Sequence, residues 1–237
     1  MNNGHIAELQ GKTILITGAG SGFGAACAHA AYAAGAQLIL IDTAEAGLSV
    51  TSSDFEMTRV MNIAARVTDL EEMKKAVQIG IDQFGGIDVV FANIGVYTDS
   101  PSTCRLPSLG RFHGIIDFNL SGIWNTVRAS LPSVKASCGH IQITSSSYGC
   151  ETGLSNAPHK IPHFAVDLFS RELRKELDGT GATAEIMLAD HGTDQRLSSG
   201  KISNRQIAAE LLRLSYRGVI ASPMSSVPSI RSVLTEM

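Results

Sequence analysis

Two histidines with the spacing of one helical turn are the side chains best suited to proton transfer at neutral pH. His159 and His163 are separated by three residues, and an imidazole has an ordinary pKa of about 6.5. A third histidine, His191, follows a later apolar segment. The His-x-x-x-His spacing alone is only weakly typical of a metal site. We therefore predict acid–base chemistry from at least one of these rings and no bound metal.

A glycine-rich stretch is the second chemical signal. Residues 17–24 read TGAGSGFG, directly after an apolar segment and before an alanine-rich one. Glycines let the backbone turn sharply and let a pyrophosphate approach a helix N-terminus, where N–H groups and the helix dipole favour negative charge. Asp42 ends the next apolar segment. Unless it is an ordinary turn or cap residue, its carboxylate can accept hydrogen bonds from ribose hydroxyls and repel a 2′-phosphate, which predicts NAD(H) rather than NADP(H).

Short apolar segments alternate with longer segments of helical periodicity. The predicted strands are residues 13–17, 37–42, 60–64, 87–92, 140–144, 184–188 and 218–221. The predicted helices are residues 24–34, 70–84, 109–131, 164–177 and 204–214, with a weak helix and loop over 44–58. Most strand segments are continuously apolar, so they should be buried on both faces. This pattern predicts an α/β fold with a doubly wound, mostly parallel, seven-stranded sheet of the Rossmann type.

Composition favours one domain that acts on a small molecule. The 237 residues are 44% hydrophobic, which suits a single domain over residues 1–237. The net charge of −3 and the lack of a basic run argue against nucleic acid or an anionic membrane as partner. We find no secretory signal pattern and no 18-residue apolar run. The four cysteines lack metal-finger spacing, so we expect reduced thiols in a cytoplasmic protein.

Four motifs in this order resemble the short-chain dehydrogenase/reductase family. They are the glycine loop at 17–24, Ala92-Asn93-Ile94-Gly95, Asp117-Phe118-Asn119-Leu120 and Ile143-Thr144-Ser145-Ser146. The resemblance covers almost the whole chain and implies a hydride-transfer site at the C-terminal edge of the sheet. The cofactor-binding residues that we expect are Gly18, Gly20, Ser21, Gly22, Phe23, Gly24, Asp42, Asn93 and Gly95.

The chain departs from the family at the proton-transfer group. By resemblance, Asn119 supports a helix kink and a water relay, and Ser146 hydrogen-bonds the substrate oxygen. The family's Tyr and Lys would stand at 159 and 163, where this chain has His159 and His163. The candidate catalytic residues are therefore Asn119, Ser146, His159 and His163. Pro162 removes a helix hydrogen bond, so we expect the helix to begin at Pro162 and to turn His159 away.

Two further features bear on the cofactor and on assembly. Arg66 stands where the family usually has an Asp that contacts adenine, and it either stacks on adenine or faces solvent. The resemblance also implies a homodimer or homotetramer, with a dimer formed through helices 109–131 and 164–177. The family's closing glycine-rich strand motif is absent from the tail 227–237, which weighs against the common tetramer.

Three functions are compatible with these residues. The first is an atypical NAD(H)-linked oxidoreductase that uses histidine-based acid–base chemistry on the carbonyl or hydroxyl group of a small, largely apolar molecule. The second is a non-redox isomerase, dehydratase or cyclase, which would turn over without nicotinamide oxidation. The third is a catalytically inactive binding subunit that keeps the fold.

Overall fold

A parallel sheet, with six strands among the described residues, forms the centre of the molecule. The computed structural model describes residues 9–93, 108–146 and 157–189. Within them the strand order is β3-β2-β1-β4-β5-β6, and every pairing is parallel. The strands are β1 (Thr13–Thr17), β2 (Gln37–Asp42), β3 (Val60–Ala64), β4 (Val89–Ala92), β5 (His140–Ser146) and β6 (Thr183–Ala189). The doubly wound parallel sheet predicted from the sequence is confirmed, and the predicted seventh strand, 218–221, lies outside the described residues.

Helices cover both faces of this sheet. They are α1 (Gly22–Ala33), α2 (Glu45–Thr51), α3 (Leu70–Phe84), α4 (Leu109–Ile116), α5 (Gly122–Ala136) and α6 (Ala157–Leu177), with a π-helical segment, Asp117–Ser121, between α4 and α5. Apolar side chains of α3, α5 and α6 form one core with alternate strand residues, and those of α1 and α2 form the other. No helix among the described residues is long and apolar enough to cross a bilayer.

Strand burial explains the continuously apolar segments. Leu15 belongs to one core, and its neighbours Ile14 and Ile16 belong to the other, because successive side chains of a strand point to opposite faces. All three are fully buried. The edge strand β3 is less buried than β1: only Val60 is buried, and the other four residues are half-buried or exposed, as expected for a strand with a neighbour on one side only.

Helix α3 shows how local sequence fixes element ends. The Asp69 carboxylate accepts hydrogen bonds from the backbone N–H groups of Glu71 and Glu72, which satisfies donors that have no intrahelical partner. Gly85 ends the helix with φ of 85°, a left-handed conformation that costs glycine little. The helix spans the residues that the sequence predicts, 70–84.

Two helical predictions are corrected. The predicted helix 109–131 is interrupted by the π-helical segment and continues to Ala136. The prediction that a helix begins at Pro162 is wrong, because α6 begins at Ala157 and carries Pro162 inside it. The ring removes one hydrogen bond near the helix start, and Pro162 is itself buried. The predicted helix 204–214 lies outside the described residues.

Candidate functional site

The carboxyl ends of the strands meet at one edge of the sheet. Thr17, Asp42 and Ser146 are the last residues of β1, β2 and β5, and Asn93 directly follows β4. The strand order reverses between β1 and β4. In open α/β sheets, a crevice at such a reversal is where ligands bind.

The glycine loop between β1 and α1 lies so close to the end of β4 that two of its positions have no room for a side chain. Gly18 has φ of 65°, and a Cβ there would lie 2.5 Å from the backbone oxygen of Asn93. A Cβ on Gly24 would collide with the backbone oxygen of Gly18 and would lie 2.9 Å from Nδ2 of Asn93. These contacts explain why the loop needs glycine at both positions, and they bring the start of α1 against the end of β4.

The start of α1 has the features of an anion cradle. Ser21 precedes the helix with φ of −160° and makes no side-chain capping hydrogen bond. Nothing described lies within 4 Å of where a Cβ on Gly22 would stand, and Ser21 and Gly22 are exposed, with Phe23 partly buried. The first N–H groups of a helix have no intrahelical acceptor. The segment therefore fits the pyrophosphate of a dinucleotide.

Asp42 lies directly against this loop. Its Oδ2 accepts a hydrogen bond from the Gly20 N–H at 2.9 Å, and its Oδ1 accepts one from the Ala44 N–H at 3.0 Å. A Cβ on Gly20 would lie 3.0 Å from the Asp42 carboxyl carbon. The carboxylate is partly exposed, so the chain holds a fixed negative charge where β2 ends beside the glycine loop.

Asn93 and Thr17 join the loop to β4. The Thr17 hydroxyl donates to the Phe91 carbonyl at 3.3 Å and accepts from the Asn93 N–H at 3.1 Å. The Asn93 amide also donates to the Thr17 carbonyl at 3.4 Å. Both side chains thus fix the crevice between β1 and β4. Gly95, the last of the cofactor residues expected from the sequence, lies outside the described residues.

Helix α2 supplies support that the sequence did not reveal. The Thr51 hydroxyl donates to the Ala19 carbonyl at 2.9 Å. A Cβ on Gly47 would lie 2.6 Å from the Gly20 carbonyl oxygen. The only sequence signal here is a glycine inside a short amphipathic segment, which is too common to identify a contact with a particular loop.

Arg66 is turned toward acidic neighbours on α3. It is exposed, and its guanidinium pairs with the carboxylates of Glu72 and Asp69. Hydrogen bonding and charge from Glu72 raise the pKa of Arg66, and the Arg66 guanidinium in turn lowers the pKa of Glu72. Of the two orientations that the sequence allowed, the structure has the solvent-facing one.

Asn119 lies at the centre of the π-helical segment. It is 1% exposed, and the segment packs against α6. Single π-helical turns within α-helices are frequent at functional sites. The irregularity that the family resemblance implies at Asn119 is therefore present, at the point where the helix passes α6.

The histidine positions share one continuous helix. His159 and His163 are both within α6, so their backbones lie about one turn apart. Nδ1 of His163 lies 3.0 Å from the hydroxyl oxygen of Ser145 on β5. The side chains of Ser146 and His159, and all of His191, lie outside the described residues. Ser145 is the site residue that sequence reasoning missed, although it stands within the Thr-Ser-Ser run that marks the end of β5.

No cluster of three or more metal-binding side chains occurs in the described ranges.

Two buried groups lie away from the site. His140 is fully buried between a hydroxyl and an amide: Nδ1 lies 2.8 Å from Oγ1 of Thr183, and Nε2 lies 3.4 Å from Oε1 of Gln142. Burial lowers the pKa of His140 to about 4. Burial also raises the pKa of the Cys27 thiol, which keeps that cysteine protonated and unreactive.

Comparisons with known proteins agree with this architecture. A family model described as short chain dehydrogenase matches residues 12–190. The chain is 30% identical over 174 residues to an uncharacterized oxidoreductase of Staphylococcus aureus strain MW2, covering 73% of this chain and 74% of that protein. It is 32% identical over 171 residues to one of Listeria innocua, covering 71% and 68%.

Two solved structures share the fold. One is a short-chain dehydrogenase/reductase of unknown function from Caenorhabditis elegans, crystallised with cofactor, with a TM-score of 0.77, 20% identity and 90% coverage of both chains. The other is the apo form of LigO from Sphingobium sp. strain SYK-6, with a TM-score of 0.77, 19% identity and coverage of 87% of this chain and 79% of that one.

Proposed function

Because the chain belongs to the short-chain dehydrogenase/reductase family, we propose that it is an oxidoreductase that binds NAD(H). Its substrate is the carbonyl or hydroxyl group of a small, largely apolar molecule. The observation that carries this proposal is the glycine loop, in which the backbone leaves no room for a Cβ at Gly18 or Gly24, with the carboxylate of Asp42 hydrogen-bonded against it. We place the protein in the cytoplasm.

The residues that would hold the cofactor are divided between its phosphates and its ribose. The N–H groups at the start of α1, from Gly22 onward, would bind the pyrophosphate. The Asp42 carboxylate would accept hydrogen bonds from the adenosine ribose hydroxyls. A bound nicotinamide would supply or accept the hydride. If Asp42 turned fully toward the ribose, it would lose its hydrogen bonds with the N–H groups of Gly20 and Ala44. The new hydrogen bonds to the ribose hydroxyls would then have to offset that loss.

The carboxylate also favours NAD(H) over NADP(H). A 2′-phosphate placed near Asp42 would bring two negative charges together at the mouth of the crevice. Arg66 is paired with Glu72 and does not offset that repulsion from its present position. The negative charge of Asp42 therefore favours NAD(H), which lacks the 2′-phosphate, over NADP(H).

Proton transfer is assigned to imidazole in this proposal. A phenol has an ordinary pKa near ~10 and needs a nearby cation to act as a base at neutral pH, whereas an imidazole at ~6.5 does not. His159 or His163 would exchange the proton with the substrate oxygen, Ser146 would hydrogen-bond that oxygen, and Asn119 would support the helix beside it. The shared helix of the two histidines and the contact of α6 with β5 support this assignment.

The cofactor preference can be tested by removing one charge. Asp42→Asn keeps the size of the side chain and one acceptor oxygen. We expect this substitution to weaken NADH binding by roughly tenfold or more, which is the effect of losing a hydrogen bond to a charged group. The difference between the affinities for NADH and NADPH should therefore become smaller. Asp54→Asn, which changes an exposed aspartate beyond α2, is the matched control. An unchanged ratio of NADH to NADPH affinity in Asp42→Asn would refute the role of the carboxylate.

We also propose that the protein forms a homodimer or homotetramer through α5 and α6. Trp124 on α5 and Phe164 and Leu168 on α6 are 47%, 65% and 56% exposed. Large apolar side chains on adjoining helices are typical of a surface that a partner covers. Sedimentation of the 25.1 kDa chain as a monomer at micromolar concentration would overturn this.

A further inference from the structure

The contact between Ser145 and His163 joins the sheet to the helix that carries both candidate proton-transfer groups. The hydroxyl oxygen of Ser145 lies 3.0 Å from Nδ1 of His163. Ser145 is 4% exposed and belongs to the central part of the site edge, near the end of β5. It is one residue before Ser146, the serine that the family resemblance assigns to the substrate.

The two backbones that carry this pair are held firmly. Ser145 is paired with β6, and α6 packs against both β5 and the π-helical segment. Pro162, buried beside His163 in the chain, restricts the backbone of α6 at this turn. A hydroxyl on a short side chain in a strand has few positions available, so it presents a fixed partner to the ring.

A serine hydroxyl suits a ring that changes its protonation state. When the single proton of the neutral ring stands on Nδ1, the Ser145 hydroxyl oxygen accepts a hydrogen bond from Nδ1–H, and it accepts the same hydrogen bond when the ring is charged. The ring therefore keeps its orientation through a change in charge. With Nδ1 held in this way, a proton exchanged between His163 and a bound molecule passes through Nε2.

We propose that Ser145 is a positioning residue that orients His163 for proton transfer through Nε2. The inference deepens the proposed function and rests on it for the reaction, while the orientation of the ring can be measured without turnover. A lysine at 163 would carry its charge at the end of a long flexible chain, whereas an imidazole needs its plane fixed. Ser145 provides that constraint.

Nuclear magnetic resonance on the full chain tests the orientation directly. The protein has seven histidines, and nitrogen-15 labelling of histidine alone, with His163→Gln for assignment, identifies the two ring nitrogens of His163. We expect the Nδ1 resonance and the titration of His163 to shift in Ser145→Ala and to remain close to wild type in Ser145→Thr, which keeps the hydroxyl. Ser170→Ala removes a fully buried hydroxyl elsewhere on α6 and should leave His163 unchanged.

Turnover adds a second measurement. If the protein oxidises NADH with a carbonyl substrate, Ser145→Ala should lower kcat roughly fivefold, the effect of one hydrogen bond, with KM nearly unchanged and with recovery in Ser145→Thr. His163 signals that are the same in wild type and Ser145→Ala would overturn the proposal. If Ser145→Ala does not fold, a wild-type Nδ1 resonance equal to that of a solvated imidazole would overturn it. Failure to bind NADH would refute the proposed function and leave the resonance test of Ser145 valid.

Discussion

The two halves of the proposed site, called here the cofactor side and the proton-transfer side after their proposed roles, are held by different kinds of contact. On the cofactor side, comprising β1, α1, β2 and α2, backbone groups take part in nearly every hydrogen bond, as in the Gly20 N–H to Asp42 and the Thr51 hydroxyl to the Ala19 carbonyl. On the proton-transfer side, comprising β5 and α6, the key contact joins two side chains, Ser145 and His163. The first side is fixed by close backbone contact at glycine, and the second depends on a contact between two side chains.

This difference indicates where a substitution should disturb the fold and where it should not. Gly18 and Gly24 leave no room for a Cβ between the loop and β4, so a larger residue at either position would have to move β1 or β4. Ser145 and His163 contact each other through their side chains, so we expect a substitution at either residue to leave the backbone pairing of β5 with β6 in place.

The largest effect should come from adding one methyl group to the cofactor side. Gly24→Ala would place a Cβ against the Gly18 carbonyl oxygen and 2.9 Å from Nδ2 of Asn93. We expect a loss of about 3 kcal/mol in the free energy of unfolding, the upper end for overpacking, together with loss of NADH binding. Chemical denaturation and calorimetry measure the two effects.

Gly114→Ala is the matched control, because a Cβ there meets nothing described within 4 Å. Alanine at this position in α4 should be neutral or stabilising. Equal stability of Gly24→Ala and Gly114→Ala would contradict the view that the loop is fixed by close backbone contact.

A second effect, the dependence of stability on acid, is expected at His140, which begins β5 away from the site. Burial lowers the pKa of His140 from 6.5 to about 4, so between those values the unfolded chain binds a proton that the folded chain does not. Stability should therefore fall as pH drops from 6.5 to 4, by up to about 3 kcal/mol. Burial raises the pKa of Glu185, so the folded chain binds a proton there more readily than the unfolded chain does. This difference stabilises the folded chain as the pH falls and offsets a smaller part of the loss caused by His140. Denaturation midpoints measured across this range give the slope.

His140→Gln should reduce this pH dependence, because glutamine does not titrate. His113→Gln, at an exposed position on α4, should keep it. A wild-type protein whose stability is flat between pH 6.5 and 4 would show that His140 is not the buried neutral ring described above.

The smallest effect is expected at Arg66. Its ion pair with Glu72 is exposed, and exposed pairs contribute little to stability. Arg66→Ala should leave the unfolding midpoint unchanged within error, and NADH affinity should also be unchanged because the guanidinium faces solvent. A clear loss of NADH affinity in Arg66→Ala, with Lys74→Ala unaffected, would show that Arg66 turns to contact adenine.

The sequence predicted the bounds of several elements before β4 better than the bounds of β5 and α6, for physical reasons. Glycine spacing and continuously apolar segments carry direct information on backbone geometry, so the bounds of β1, β2, β3 and α3 agree with the prediction. Pro162 was misjudged because the cost of one lost hydrogen bond was weighed without the packing of α6 on the sheet. Ser145 was missed because a strand residue and a helix residue 18 positions apart leave no periodic signal.

The interruption at Asn119 illustrates the same limit. Hydrophobic periodicity predicts one helix over 109–131, since a single wide turn hardly alters the pattern of apolar residues. Only the family resemblance indicated an irregularity there. Strands and helices could be predicted from glycine positions and apolar periodicity. A single wide turn formed where two packed helices meet could be found only from the structure.

Calorimetric titration of the wild-type chain with NADH tests the central claim most directly. The glycine loop, the start of α1 and Asp42 lead us to expect saturable binding of one NADH per chain and weaker binding of NADPH under the same conditions. If titration with NAD, NADH or NADPH gives no detectable heat of binding, the proposal that this protein is an NAD(H)-dependent oxidoreductase is contradicted.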